Sequence, residues 1–184
     1  MHISLDGFVA GPKGEMNWIK VDEPLFDYLG LRIGQTDLAM YGRVTHQMMD
    51  GYWTNAWKKP DASKHDREHA KWYQDVQKVV LSNTLTSSDE GKVKIINNHI
   101  VSQINDIKQQ PGSDILLFGS PSATHSLMEM NLIDGYWLFV NPIVLGEGIP
   151  LFKNIQHKIN LKLLNTRKFN NEVVELDYIV DRGE

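Results

Sequence analysis

Short apolar runs that break at a glycine and pass into helix-spaced residues recur along this 184-residue chain. Asp37–Tyr41 meets Gly42 before a helix over Val44–Asp50, and Asp114–Phe118 meets Gly119 before a helix over Ser122–Met130. Strands are also expected over Met1–Leu5, Lys78–Ser82, Lys92–Asn97 and Ile133–Pro142. Helices are expected over Asp22–Ile33, over Ser63–Asp75, and from Ile100 to the Pro111-Gly112 breaker. Leu25, Phe26, Leu29 and Ile33 carry the helical spacing in the first of these, and Ile100, Ile104 and Ile107 in the last. Strands that alternate with helices predict an α/β fold with a mostly parallel central sheet flanked by helices. The end of the chain differs. Ile159–Leu163 alternates, Asn170-Asn171 supplies a turn, and Val174, Leu176, Tyr178 and Val180 share one face, which predicts a C-terminal antiparallel hairpin at a sheet edge. Two stretches lack periodicity. Asp6–Lys20 holds Gly7, Gly11, Pro12 and Gly14, and Gly51–Ala62 reads as a loop anchored by Trp53 and Trp57.

The length suits a single domain over residues 1–184. The chain has no cysteine, which excludes disulfides, thiol nucleophiles and thiolate metal sites. A net charge of −4 gives no basic face for phosphate backbones, so no nucleic-acid partner is expected. No apolar stretch approaches the roughly 18 residues of a membrane span, and the N-terminus shows neither a basic start nor an apolar signal core. A cytoplasmic protein with a small-molecule substrate and no membrane partner is expected. His65 and His69 lie four apart, but Asp66 stands where a zinc-protease helix has glutamate. Two histidines without a third ligand predict a solvated helix face and no metal.

In parallel sheets ligands bind outside the carboxyl ends of the strands. The turn Met40-Tyr41-Gly42-Arg43-Val44-Thr45 ends a strand and starts a helix, whose free amides favour anions beside Arg43 and Thr45. In Phe118-Gly119-Ser120-Pro121-Ser122, Ser120 suits the N-cap and Pro121 the first helical position. Taken singly, each is also what an ordinary turn or a well-capped helix looks like. A third strand ends at Ser82-Asn83-Thr84, short polar side chains able to bond a ribose or its phosphate.

These turns come in order with Ser4-Leu5-Asp6-Gly7-Phe8-Val9-Ala10-Gly11 and with Pro142-Ile143-Val144-Leu145-Gly146-Glu147-Gly148-Ile149-Pro150. Together they resemble the dihydrofolate reductase superfamily, in the branch of the bacterial riboflavin-biosynthesis reductase domain. The resemblance implies an NADPH-dependent reductase of a pterin- or pyrimidine-like heterocycle. It implies that Gly42, Arg43 and Thr45 form a phosphate corner and that Gly119, Ser120 and Ser122 receive the pyrophosphate. Ser82 and Asn83 would then sit by the adenosine ribose and its 2′-phosphate. By position, Asp22 falls nearest the carboxylate that anchors the heterocycle, and Asp6 is the second catalytic candidate. Acidic residues at a helix start also suit the helix dipole, and Asp6 also suits a turn cap. The resemblance further implies a homodimer packed through the strand carrying Trp137. The chain departs from the pattern at Ser120 and Pro121, where the dihydrofolate branch carries glycines, at His46, where an aromatic ring is common, and at Gly135, where an acid is frequent. A nucleotide-binding module without turnover and a tryptophan-anchored interaction domain are the alternatives.

Overall fold

The computed structural model describes residues 1–86 and 88–183, with the backbone alone for 88–90. In chain order its elements are β1 (His2–Ile3), β2 (Phe8–Ala10), α1 (Glu23–Gly34), β3 (Leu38–Gly42), α2 (Arg43–Trp53), a 3-10 turn (Ala56–Lys58) and α3 (Lys64–Asp75). They continue as β4 (Gln77–Leu81), β5 (Ser88–Glu90), β6 (Val93–Ile96), α4 (Ile100–Lys108), β7 (Ile115–Leu117), α5 (Pro121–Glu129), β8 (Gly135–Val140), β9 (Ile149–Pro150), β10 (Leu161–Lys168) and β11 (Val174–Val180). The chain divides into two compact units: Glu23–Ala123, and Met1–Asp22 with Thr124–Glu184.

The Glu23–Ala123 unit is built on a sheet ordered β5-β6-β4-β3-β7. Its three inner pairings follow the expected alternation: β6, β4, β3 and β7 are parallel, and β5 adds an antiparallel edge. A parallel strand is covered on both faces, so it reads as a continuous apolar run. Ala39, Met40 and Tyr41 in β3 and Val79, Val80 and Leu81 in β4 are all buried. Each fully buried large apolar side chain stabilises the fold by about 1.5–3 kcal/mol. Lys78 is buried in the same strand; its Nζ donates to the Val76 carbonyl at 3.2 Å and lies 4.4 Å from the Tyr73 ring centre. The chain runs outward from β3 to β4 to β6, then returns to the other flank of β3 with β7. The direction of winding therefore reverses between β3 and β7.

α3 starts on a reciprocal capping box between Ser63 and Asp66, and buries Ala70 and Tyr73 as its spacing predicts. The loop expected over Gly51–Ala62 is partly helical, because α2 runs on to Trp53, whose ring packs 4.1 Å from His69 on α3. His65 stacks on Phe26 at 3.9 Å. Both histidines are therefore half-buried among aromatic rings rather than on a solvated face. Burial lowers the pKa of His65 and takes that of His69 down to about 3.

The other unit holds a sheet ordered β1-β8-β11-β10. β1 and β8 are parallel, and β8, β11 and β10 are antiparallel. The expected hairpin is present, closed by Phe169 N donating to the Val173 carbonyl at 2.9 Å. Leu176, Tyr178 and Val180 share the inward face and pack on a core of Ile3, Val9, Met128, Tyr136, Leu138 and Leu151. β10 is exposed along its whole length. The glycine-rich stretch after β1 is not wholly irregular, since β2 pairs with β9. These two strands have three and two residues, too few to show a period. Among the described residues no helix is long and apolar enough to cross a membrane.

Candidate functional site

The site lies in the Glu23–Ala123 unit, at the carboxyl ends of β4, β3 and β7. The register aligns Gly42 with Leu81 on one side, and Met40 with Leu117 on the other. The turns after these strands thus emerge in a row: Ser82-Asn83, then Gly42-Arg43, then Phe118-Gly119-Ser120. An open parallel sheet forms its ligand crevice where the winding reverses, which here is between β3 and β7.

The two glycine corners touch. Gly42 N donates to Ser120 Oγ at 2.8 Å, and Ser120 Oγ donates to the Phe118 carbonyl at 3.0 Å. A Cβ on Gly42 would lie 3.3 Å from the Cβ atoms of Ser120 and Ala123. A Cβ on Gly119 would lie 3.5 Å from Thr45 Cγ2. Gly119 and Ser120 have φ of +52° and +55°, a left-handed pair that lets the chain turn sharply into α5. This arrangement corrects the expected N-cap. A cap has extended backbone and turns its oxygen onto its own helix, whereas Ser120 turns its hydroxyl onto β3.

The electrostatics favour an anion. Gly42 caps α2 with its backbone alone, and the first turn of α2 carries no acid. Arg43 donates to a neutral partner, Gln47 Oε1 at 3.1 Å. α5 opens on Pro121, and its first turn also lacks an acid. Two helix starts, each carrying a partial positive charge, therefore converge with Arg43 and Thr45. His46, one residue on, is marked in the sequence only as a departure from the family's aromatic ring. Its Nε2 is buried without a hydrogen-bond partner among the described residues, and burial lowers its pKa. Only the pairing of β3 with β4 reveals what surrounds it.

The remaining predicted residues are less uniform. Ser82 is buried, and its hydroxyl accepts from Thr84 N at 3.1 Å and Leu85 N at 3.0 Å, shaping its own turn. Asn83 and Ser122 are exposed. Asp6 and Asp22 belong to the other unit. The Asp6 carboxylate accepts from Ser4 Oγ at 2.6 Å, Leu145 N at 3.1 Å and Gly146 N at 2.8 Å. These bonds, that from Ser4 foremost, hold its pKa down at about 2. Asp22 is half-buried immediately before α1. Trp137 donates its indole N–H to the buried carboxylate of Glu175 at 2.6 Å.

A model of the RibD C-terminal domain family matches residues 1–175. The chain belongs to that family. Among its relatives is YyaP of Bacillus subtilis (strain 168), itself uncharacterized, which is 34% identical over 178 residues, 96% of this chain and 90% of YyaP. The RibD-type fold is shared with a candidate riboflavin biosynthesis protein of Shewanella sp. PV-4, at a TM-score of 0.71 and 21% identity over 99% of this chain and 97% of that one. It is also similar to the dihydrofolate reductase of Enterococcus faecalis, solved with NADP(H), at a TM-score of 0.60 and 13% identity over 98% and 93% of the two chains. The expected superfamily and branch are thereby established, as is the α/β reductase-like fold.

Proposed function

We propose that this RibD-type chain, taken as one domain over residues 1–184, is an NADPH-dependent reductase of a small pterin- or pyrimidine-like heterocycle in the cytoplasm. The observation that carries the reading is the contact of two helix-start corners at the β3/β7 reversal, joined by the 2.8 Å bond from Gly42 N to Ser120 Oγ. The absence of side chains at Gly42 and Gly119 leaves the corners close enough for one diphosphate to meet both. The groups present fit a dinucleotide. Arg43 and Thr45 bind phosphate oxygens, Gly119 and Ser122 with the backbone at Ser120 hold the pyrophosphate, and Asn83 with the Ser82 turn faces the adenosine ribose and its 2′-phosphate.

NADPH supplies a hydride when bound; the protein aligns it with the acceptor carbon and excludes water. Asp22 and Asp6 are the two carboxylates proposed to anchor the heterocycle, and the Asp6 carboxylate accepts three bonds within its own unit. A homodimer accompanies the reading, favoured by the fully exposed edge strand β10. That engagement of Asp6 also favours the second reading, a dinucleotide-binding module without turnover.

Titration of the purified protein with NADPH and NADH, followed by nicotinamide fluorescence, tests the reading. NADPH is expected to bind more tightly than NADH. Binding of neither below millimolar removes the reductase. Oxidation of NADPH with a pterin or pyrimidine panel, lost in Asp22→Asn, separates the enzyme from the binding module, and light scattering on the same sample separates dimer from monomer.

A further inference from the structure

The β3–β7 ladder ends in an irregular way. Its last regular bond runs from Phe118 N to the Met40 carbonyl at 3.0 Å. Parallel ladders place their bonds at even spacing, so the next runs from Gly42 N to the Phe118 carbonyl. Here a hydroxyl stands between those two groups. Ser120 Oγ accepts from Gly42 N at 2.8 Å and donates to the Phe118 carbonyl at 3.0 Å. The side chain is buried, and its backbone φ of +55° is one that favours glycine. A serine kept at a glycine-like position, with both hydroxyl bonds spent inside the protein, is placed to act on its neighbours rather than on a ligand.

We propose that Ser120 is a positioning residue whose hydroxyl replaces the final β3–β7 ladder bond and so fixes the spacing of the α2 and α5 helix starts for a diphosphate. This rests on the dinucleotide reading given above. Direct bonding of Gly42 N to the Phe118 carbonyl would draw the strands together at the reversal point. The inserted oxygen holds them one hydroxyl apart and leaves the free N–H groups of the α2 start, from Arg43, and of the α5 start, from Ser122 after Pro121, to serve a shared anion. The steric fit agrees, since Ser120 Cβ lies 3.3 Å from where a Gly42 Cβ would be.

The test compares Ser120→Gly with Ser120→Ala. Glycine suits the backbone conformation and keeps the chain folded, while alanine removes the hydroxyl and retains Cβ. Both variants are expected to bind NADPH and inorganic pyrophosphate roughly tenfold more weakly, as the loss of a positioning hydrogen bond implies. Their affinity for 2′-AMP, which engages only the β4 turn, is expected to stay at the parent value, with the melting temperature of Ser120→Gly within a few degrees of it. Unchanged NADPH and pyrophosphate affinity in both variants overturns the positioning role and leaves the reductase reading standing. Equal losses for 2′-AMP and pyrophosphate also overturn it, because general loosening would explain them. If the parent protein binds pyrophosphate but not NADPH, the reductase reading falls, and the pyrophosphate comparison alone decides the role of Ser120. A parent that binds neither overturns both.

Discussion

A side chain at Gly42 would be crowded. The Cβ atoms of Ser120 and Ala123 both stand 3.3 Å from where its own would be, and both belong to the corner that starts α5. Gly42→Ala is expected to destabilise the protein by about 1–3 kcal/mol, as overpacking does, and to weaken NADPH binding by roughly tenfold or more as the corners part. Thermal denaturation and cofactor titration check this; a variant that melts and binds like the parent would show that the corner tolerates expansion. The glycine at this turn was evident in the sequence, but its reason was not. A turn explains a glycine locally, whereas this one is fixed by contact with a distant segment. The same holds for Ser120, whose pattern says helix cap and whose hydroxyl serves β3. It holds too for His65 and His69, whose polar neighbours in α3 hide the rings of Phe26 and Trp53 packed against them.

At the scale of elements, α3 shows how far local chemistry reaches. Ser63 Oγ accepts from Asp66 N at 3.0 Å, and Ser63 N donates back to Asp66 Oδ2 at 2.9 Å. Both donors belong to the helix start and have no partner within the helix. Ser63→Ala is expected to cost about 1 kcal/mol and to lower the melting temperature by about 2–4 °C for a chain of this size, with cofactor affinity unchanged. Calorimetry tests it, and an unchanged melting temperature would mean that the cap contributes nothing. Such an element is readable because its spacing and start signals lie within its own sequence. β2, β5 and β9 are different: each has two or three residues and exists only by pairing. β10 shows a further gap, for its leucines alternate as though half-buried, yet the strand lies open at the sheet edge.

Among the described residues, four histidines are held neutral by burial. The pKa values of His2 and His69 fall to about 3, and those of His46 and His65 are lowered as well. In the unfolded chain each returns to about 6.5. Above that pH neither state is protonated, so the groups leave stability unchanged. Below it the unfolded chain takes up protons that the folded protein refuses, and stability falls until the folded groups protonate in turn, which for His2 and His69 is near pH 3. Each group contributes a slope of at most about 1.4 kcal/mol per pH unit. Asp6 acts in a lower window. Its depressed pKa adds stability above the ordinary carboxylate range, lost as pH falls towards 2. Urea denaturation at pH 7.5, 6 and 5 is expected to show a steady fall, with a shallower slope in His69→Phe. Equal stability at all three values would contradict the burial of these rings.

The alternation of strands and helices, the terminal hairpin, the positions of the glycine corners and the superfamily are all legible in the amino-acid order. Each of these is written in spacing, turn chemistry and residue order, which act over a few neighbours or survive as an ordered set. The tertiary structure decided which strands lie side by side, and hence that the winding reverses between β3 and β7. That reversal brings Gly42 against Ser120 and places two positive helix ends at one crevice. No local pattern encodes it, because strand order depends on how long crossovers close over the sheet, and a hydrogen bond between distant turns forms only after they have done so.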